Sequence, residues 1–309
     1  MTKTFNIIDC DVIYLSYDEP NAEKNYADLL TKCPWAKRVH GVEGSDSAHK
    51  ACAKLADTER IVIIDGDNIV NPKFFEQTIE IDSEELYNRS VVSWCALNVV
   101  NGLMYGNGGI KSWPREFVLN MKTHENADAN NPQSQVDFCW DINYITLDEC
   151  MSWVYNNATP WQAWRAGFRE GVKMSLTQGV KLENTKKFIH SVHKKNYHRL
   201  LAWLNVGSDV ENGYWAMFGA RQGCYMTNCT DWDYVNVRDF KWLNQFWEDQ
   251  NATLTEDRMK DEVEILGEKL KSELDIPVSS PLDPIQSKFF KEVFTNPSRV
   301  TTGARVVKR

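Results

Sequence analysis

The sequence predicts an α/β chain: a Rossmann-like domain with a mixed central sheet, followed by a helical, Trp-rich C-terminal part. Three observations carry this expectation. The run Ile61-Val62-Ile63-Ile64 stops at Asp65-Gly66-Asp67-Asn68, and consecutive β-branched residues suit a strand buried on both faces. Strand-like and helix-like segments alternate along the N-terminal half. Eleven of the twelve tryptophans lie at or beyond Trp94. The expected division is a core over residues 1–150, a mostly helical extension over 151–280 and a C-terminal tail over 281–309.

Asp11 to Pro20 reads as a first strand with a polar loop after it, and Lys37 to Val42 as a short second strand. Ser45-Asp46-Ser47 caps a helix whose Ala48, Ala51, Cys52 and Leu55 share one face. The Ile61–Ile64 strand follows, and Asn68 with Asn71-Pro72 marks the turn after it. Ser90 to Val100 is a long apolar strand. Gly106, Gly108 and Gly109 then supply three glycines in four residues, a loop able to expose amides, closed by Trp113-Pro114-Arg115. Residues 126–135 read as a mobile surface loop. Val136 to Asp141 reads as extended, with Asp137, Cys139 and Asp141 on one side.

Thr159-Pro160 opens the clearest helix, with Thr as cap and Pro at the first position. Trp161, Trp164, Phe168 and Val172 form its apolar stripe, and Arg165, Arg169 and Lys173 a separate basic one. Tyr214, Trp215, Phe218 and Gln222 fall at helical spacing, with an end expected near Gly223. Residues 254–275 form an amphipathic helix through Met259, Val263, Leu266, Leu270 and Leu274, which Pro277, Pro281 and Pro284 break. The tail from Arg299 to Arg309 carries four Arg or Lys and no acid. It is expected to be disordered or to add to a nucleic-acid contact.

At 309 residues the chain can bury a sizeable core. Its net charge of −8 argues against nonspecific nucleic-acid affinity over the whole surface. Between Lys181 and Arg199, however, Lys181, Lys186, Lys187, Lys194, Lys195 and Arg199 stand against Glu183 alone, with His190, His193 and His198 among them. Such a strip can steer a polyanion. The eight cysteines are scattered, and Cys10, Cys52, Cys95 and Cys139 read as small core residues. With no signal-peptide pattern at Met1 and no transmembrane run, a reduced cytoplasmic location is expected. The sequons at Asn88, Asn157, Asn228 and Asn251 then read as coincidental.

Asp65 and Asp67 carry the chemistry. They stand at the C-terminal mouth of a central strand, where α/β sheets place ligands. Two carboxylates at this spacing suit a hard divalent ion that keeps substrate phosphates in its remaining positions. At these residues the chain resembles the GT-A glycosyltransferases, whose DxD motif holds manganese or magnesium against the diphosphate of a nucleotide-sugar. The strand–loop–strand–helix–strand order over about residues 5–145 resembles the nucleotide half of a family-2-like member. The resemblance implies a donor site, for a UDP-sugar by preference, formed by Ser16, Asp18, Glu19, Asp65, Asp67, Gly108 and Gly109. It implies an acidic residue, Asp137 or Asp141, as general base toward the acceptor hydroxyl. It also implies a later histidine as third ligand of Mn2+ or Mg2+; His190 is taken, with His193 and His198 as alternatives.

A narrower resemblance rests on Asp65-Gly66-Asp67-Asn68, on Gly106-Asn107-Gly108-Gly109 with Trp113-Pro114-Arg115, and on the segment Thr159 to Gly171. These blocks are similar to glycosyltransferases of large tailed phages that decorate hydroxymethylcytosine in phage DNA. That implies double-stranded DNA as acceptor, with Arg165, Arg169, Lys173, Lys194 and Lys195 on its backbone. The other expectations kept open are a glycan or protein acceptor, a nucleotidyltransferase with the same metal logic, and a non-catalytic DNA-binding module.

Overall fold

The computed structural model describes residues 1–105, 109–139, 142–278, 280–297 and 301–308. Its strands are β1 (Lys3–Asn6), β2 (Asp11–Ser16), β3 (Lys37–His40), β4 (Arg60–Asp65), β5 (Asn68–Val70), β6 (Thr78–Ile81), β7 (Ser90–Asn98), β8 (Met104–Tyr105), β9 (Ile110–Pro114), β10 (Asn143–Val154) and β11 (Ala304–Lys308). Its helices are α1 (Ala22–Lys32), α2 (Ser45–Leu55), α3 (Glu84–Arg89), α4 (Arg115–Asn120), α5 (Pro132–Val136), α6 (Pro160–Met174), α7 (Phe188–Ser191), α8 (Lys194–Asn205), α9 (Gly213–Cys229), α10 (Phe240–Asn251), α11 (Glu256–Leu274) and α12 (Pro284–Val293). The chain is mixed α/β, as its alternating pattern predicts.

The main sheet runs β3-β2-β4-β9-β7-β10-β5, with β8 paired to β7. β2 is parallel to β3 and β4, β9 is antiparallel to β4 and β7, and β10 is parallel to β7. β4 is therefore an interior strand, and Ile61 to Ile64 are all buried. Apolar residues on the two faces of the sheet build two separate cores, one under α1 and one under α2. From Pro160 to Val293 helices α6 to α12 surround a third core that holds Trp164, Phe168 and Trp203. The Thr159 hydroxyl caps α6 by accepting from the Gln162 amide at 3.2 Å, and Pro160 occupies its first turn.

The crossing of α6 and α9 has a backbone-level cause. A Cβ on Gly167 would stand 1.9 Å from the Ala216 carbonyl oxygen, and one on Gly219 would stand 2.1 Å from that of Trp164. Gly171 and Gly223 meet the facing helix in the same way. The two helices touch through glycines, so Gly223 is a packing residue; α9 runs past the expected end to Cys229.

Three further expectations are corrected. Residues 126–135 are not one irregular loop, because Pro132 to Val136 form α5, capped by Asn131. Pro284 starts α12, with an Asp283–Gln286 capping box. The tail is not free: β11 pairs with β6 in a three-stranded sheet with β1, and Arg305 is ion-paired with Glu80. No disulfide links the described cysteines, and Cys10, Cys52, Cys95 and Cys139 are buried. Among the described residues no helix is long and apolar enough to cross a membrane.

Candidate active site

Because β2, β3 and β4 are parallel neighbours, their C-terminal ends share one edge of the sheet. Ser16, His40 and Asp65 stand there. Ser16 is buried, and its hydroxyl lies 3.0 Å from His40 Nδ1 and accepts from Arg38 Nε at 3.0 Å. The Arg38 guanidinium lies 5.1 Å from the Tyr26 ring centroid and pairs with Glu23 at 2.7 Å. Asp18 is exposed. Glu19 folds back, its Oε2 accepting from the Tyr17 amide at 2.7 Å.

That Glu19 carboxylate lies against Gly66, where a Cβ would come within 2.9 Å of it. A side chain there would require Glu19 to shift and would also stand 3.0 Å from Ser16 Cβ. The Gly66 carbonyl accepts from buried Tyr14 Oη at 2.5 Å and Asn25 Nδ2 at 3.0 Å, so the Asp-Gly-Asp turn is pinned from below. The Asp67 carbonyl accepts from the Tyr155 amide at 2.8 Å, which ties the turn to the end of β10 just ahead of α6.

Asp65 Oδ2 accepts from the Gly109 amide at 3.0 Å, and the Asp65 amide donates to the Gly109 carbonyl at 3.1 Å. Asp67 Oδ1 accepts from Asn68 Nδ2 at 2.7 Å. Burial, then the neighbouring Asp65 and Glu19 charges, push the Asp67 carboxyl up to about 7, against a smaller pull from Arg165. A carboxylate raised by other carboxylates is short of positive charge. A divalent cation answers that shortage. These residues fit a magnesium- or manganese-class ion.

His190, the expected third ligand, is exposed on α7, and among the described residues no group of three His, Cys, Asp or Glu side chains converges for a metal. The further acid beside the pair is Glu19, one of the expected donor-site residues. The Gly109 amide is engaged by Asp65; a Cβ there would reach Asn68 Oδ1 at 2.9 Å with φ at +89°. Gly108 and Asp141 lie outside the described residues.

The basic stripe of α6 is half-buried along its length, at Arg165, Arg169 and Lys173. Lys173 Nζ lies 2.8 Å from Glu170 Oε1 and 3.5 Å from Asp137 Oδ1. Glu170 Oε2 accepts from Tyr105 Oη at 2.6 Å, and Tyr105 Oη accepts from Trp203 Nε1 at 3.1 Å. The chain of contacts runs from α8 through the strand ahead of the glycine loop to Asp137. Burial alone would raise Asp137, but the Lys173 ammonium and the Phe138 amide outweigh it and hold the carboxyl below its usual range. A carboxylate so stabilised is a weak proton acceptor, which argues against Asp137 as the general base.

Two buried histidines escaped the sequence reading. His49 donates from Nδ1 to the Ser45 carbonyl at 2.8 Å, and its ring lies 4.7 Å from that of Phe138. His124 has neither ring nitrogen partnered, and burial, then Arg169, push it down to about 3. His49 had a signal, since it falls on the buried face of α2; His124 sits in a loop with no periodicity to reveal it. Lys194 and Lys195 are exposed at the start of α8, apart from this constellation, and His193 caps that helix by accepting from the Lys195 amide at 3.3 Å. No family model and no curated protein matches this chain.

Proposed function

We propose that the chain is a metal-dependent GT-A-type glycosyltransferase. It moves a sugar from a nucleoside-diphosphate sugar, a UDP-sugar by preference, to a hydroxyl acceptor. The observation that carries this reading is the carboxylate pair at the end of the interior strand β4, where Asp65 and Asp67 stand two residues apart on one turn and burial, then the Asp65 and Glu19 charges, raise Asp67 against a smaller pull from Arg165. Asp65 and Asp67 offer oxygens to Mn2+ or Mg2+. When bound, the ion neutralises charge developing on the leaving diphosphate. Tyr14, Asn25 and Tyr155 hold the turn that presents both carboxylates, so little reorganisation is needed on binding.

The favoured acceptor is 5-hydroxymethylcytosine in phage DNA. Exposed Lys194 and Lys195 support it, since cations on an otherwise acidic protein attract a polyanion locally. A host-cytoplasmic location goes with that acceptor. The test is a thermal-shift titration with uridine, guanosine, cytidine and adenosine diphosphates, with and without manganese, on wild type and Asp67→Ala. A manganese-dependent rise with one nucleotide, lost in the variant, supports the donor site. No rise with any of them removes it and favours the non-catalytic DNA-binding reading. Transfer to hydroxymethylated duplex DNA, against glycan and protein acceptors, then decides the acceptor.

A further inference from the structure

Arg165 and Arg169 stand one turn apart on α6 and share one aromatic ring. Their guanidinium carbons lie 5.5 and 5.3 Å from the Phe240 centroid, and Arg165 also lies 5.4 Å from the centroid of Trp161. Like charges at this spacing repel. Yet among the described residues neither side chain has an ion-pair or hydrogen-bond partner, and Arg169 Nε is buried without one. The contrast with the next cation on the stripe is direct, since Lys173 is neutralised twice, by Asp137 and Glu170. A buried donor left unspent is costly, and two guanidinium forks side by side match the oxygens of phosphoryl groups.

Their position says which phosphates. The Tyr155 amide, five residues before α6, donates to the Asp67 carbonyl at 2.8 Å. The first turns of α6 are thereby held next to the carboxylate turn, and Arg165 is the cation whose charge acts on Asp67. A diphosphate held by an ion on Asp65 and Asp67 would therefore lie within reach of the Arg165 charge, with Arg169 beside it on the same ring. We propose that Arg165 and Arg169 form a metal-independent clamp for a diphosphate group. That the diphosphate belongs to a sugar donor rests on the glycosyltransferase reading; the clamp itself does not. It follows that the nucleotide binds without any divalent ion, and that the ion adds to a contact already made.

The test is calorimetric titration of the full-length protein with inorganic pyrophosphate in EDTA. Wild type, Arg165→Gln, Arg169→Gln, Arg169→Lys and Asp67→Asn are compared, each checked for a cooperative unfolding transition. Pyrophosphate is expected to bind wild type, each Arg→Gln change to weaken it about tenfold or more, and Asp67→Asn to leave it unchanged or tighter. Arg169→Lys keeps the charge and loses the fork, so it is expected to weaken binding less; it replaces Arg169→Gln should that variant not fold. Absence of binding in EDTA, or equal affinity in the arginine variants, overturns the clamp. So does a loss of affinity for hydroxymethylated duplex DNA with pyrophosphate binding intact, which would make the arginines backbone contacts. Arginine-dependent pyrophosphate binding with no manganese-dependent gain for any nucleoside diphosphate would uphold the clamp and remove the glycosyltransferase reading instead.

Discussion

The Gly109 amide donates to Oδ2 of Asp65 at 3.0 Å, across an antiparallel pair that ends at Ile110 and Ile64. This bond fixes which way the first carboxylate of the Asp-Gly-Asp turn faces. Gly109 has φ at +89°, and a Cβ there would meet Asn68 Oδ1 at 2.9 Å and Ser152 Oγ at 3.1 Å. Gly109→Ala is expected to cost about 1–3 kcal/mol of stability from backbone strain. It is also expected to weaken manganese-dependent nucleotide binding more than binding in EDTA. Urea unfolding and a paired titration check this, and an unchanged manganese response would mean that Asp65 does not depend on the bond.

Asp67 gives a pH prediction. Its carboxyl moves from an ordinary 3.8 to about 7 on folding, through burial first and then Asp65 and Glu19. Between those values the folded chain holds a proton that the unfolded chain has released. Stability contributed by this group therefore falls as pH rises through that window, and the penalty is complete above about 7. Asp67→Asn is expected to stabilise the metal-free protein at pH 8 by about 1–2 kcal/mol, discounted for partial exposure. Manganese affinity of wild type is expected to rise up to about tenfold per pH unit below 7 and then level off. An affinity flat between pH 5 and 8 would show that Asp67 is not a ligand.

Lys173 and Asp137 form a half-buried pair whose shifts oppose. Asp137 is lowered, because Lys173 and the Phe138 amide outweigh burial; its stabilisation is present above about 3.8 and lost as pH falls through the folded value. Burial would lower Lys173, but Asp137 and then Glu170 outweigh it, so its contribution is lost only as pH rises beyond about 10.5. Between these limits the pair is intact. Lys173→Met at neutral pH is expected to cost about 1–2 kcal/mol, since it leaves half-buried Asp137 and Glu170 uncompensated. Lys173→Met with Asp137→Asn should recover part of that loss. Additive costs in a double-mutant cycle would rule out the coupling.

Much of the fold was legible because it rests on periodicity. Ile61 to Ile64 read as an interior strand, and Thr159-Pro160 read as a helix start, since burial on both faces and end-capping are local demands. The glycine crossing was not legible. Gly223 read as a helix end, and only the facing backbone of α6 explains it. The tail misled for a similar reason: its charges suggest disorder, but the pairing of Val306 opposite Ile79 is a nonlocal fact. At the site, Asp65 and Asp67 were visible as a motif. The half-burial of Arg169 and Lys173 was not, because a basic stripe reads the same whether it meets water or half-buried carboxylates.

The glycine crossing makes a sharp prediction of its own. Gly167→Ala places a methyl 1.9 Å from a backbone oxygen that cannot move without shifting α9. Gly167 lies two residues from both Arg165 and Arg169, so the strain is delivered at the proposed clamp. The change is expected to cost about 1–3 kcal/mol or more and to weaken pyrophosphate binding although no ligand contact is removed. Ala166→Gly, next to it on a half-buried position, serves as the control and should disturb stability by only about 1 kcal/mol. Equal effects of the two changes would mean that α9 yields easily.

Exposed Lys194 and Lys195 separate the acceptor question from the donor question. They lie at the start of α8, apart from the carboxylate turn, so removing them should leave nucleotide binding alone. If they hold a DNA backbone, the double change to Ala weakens duplex binding similarly for any sequence and reduces the slope of log affinity against log salt by about 2. The slope matters more than the affinity, because a lost hydrogen bond to a base would lower affinity without altering counterion release. A slope unchanged from wild type, with transfer to a glycan or protein acceptor retained, would move the acceptor away from DNA while leaving the donor chemistry of Asp65 and Asp67 untouched.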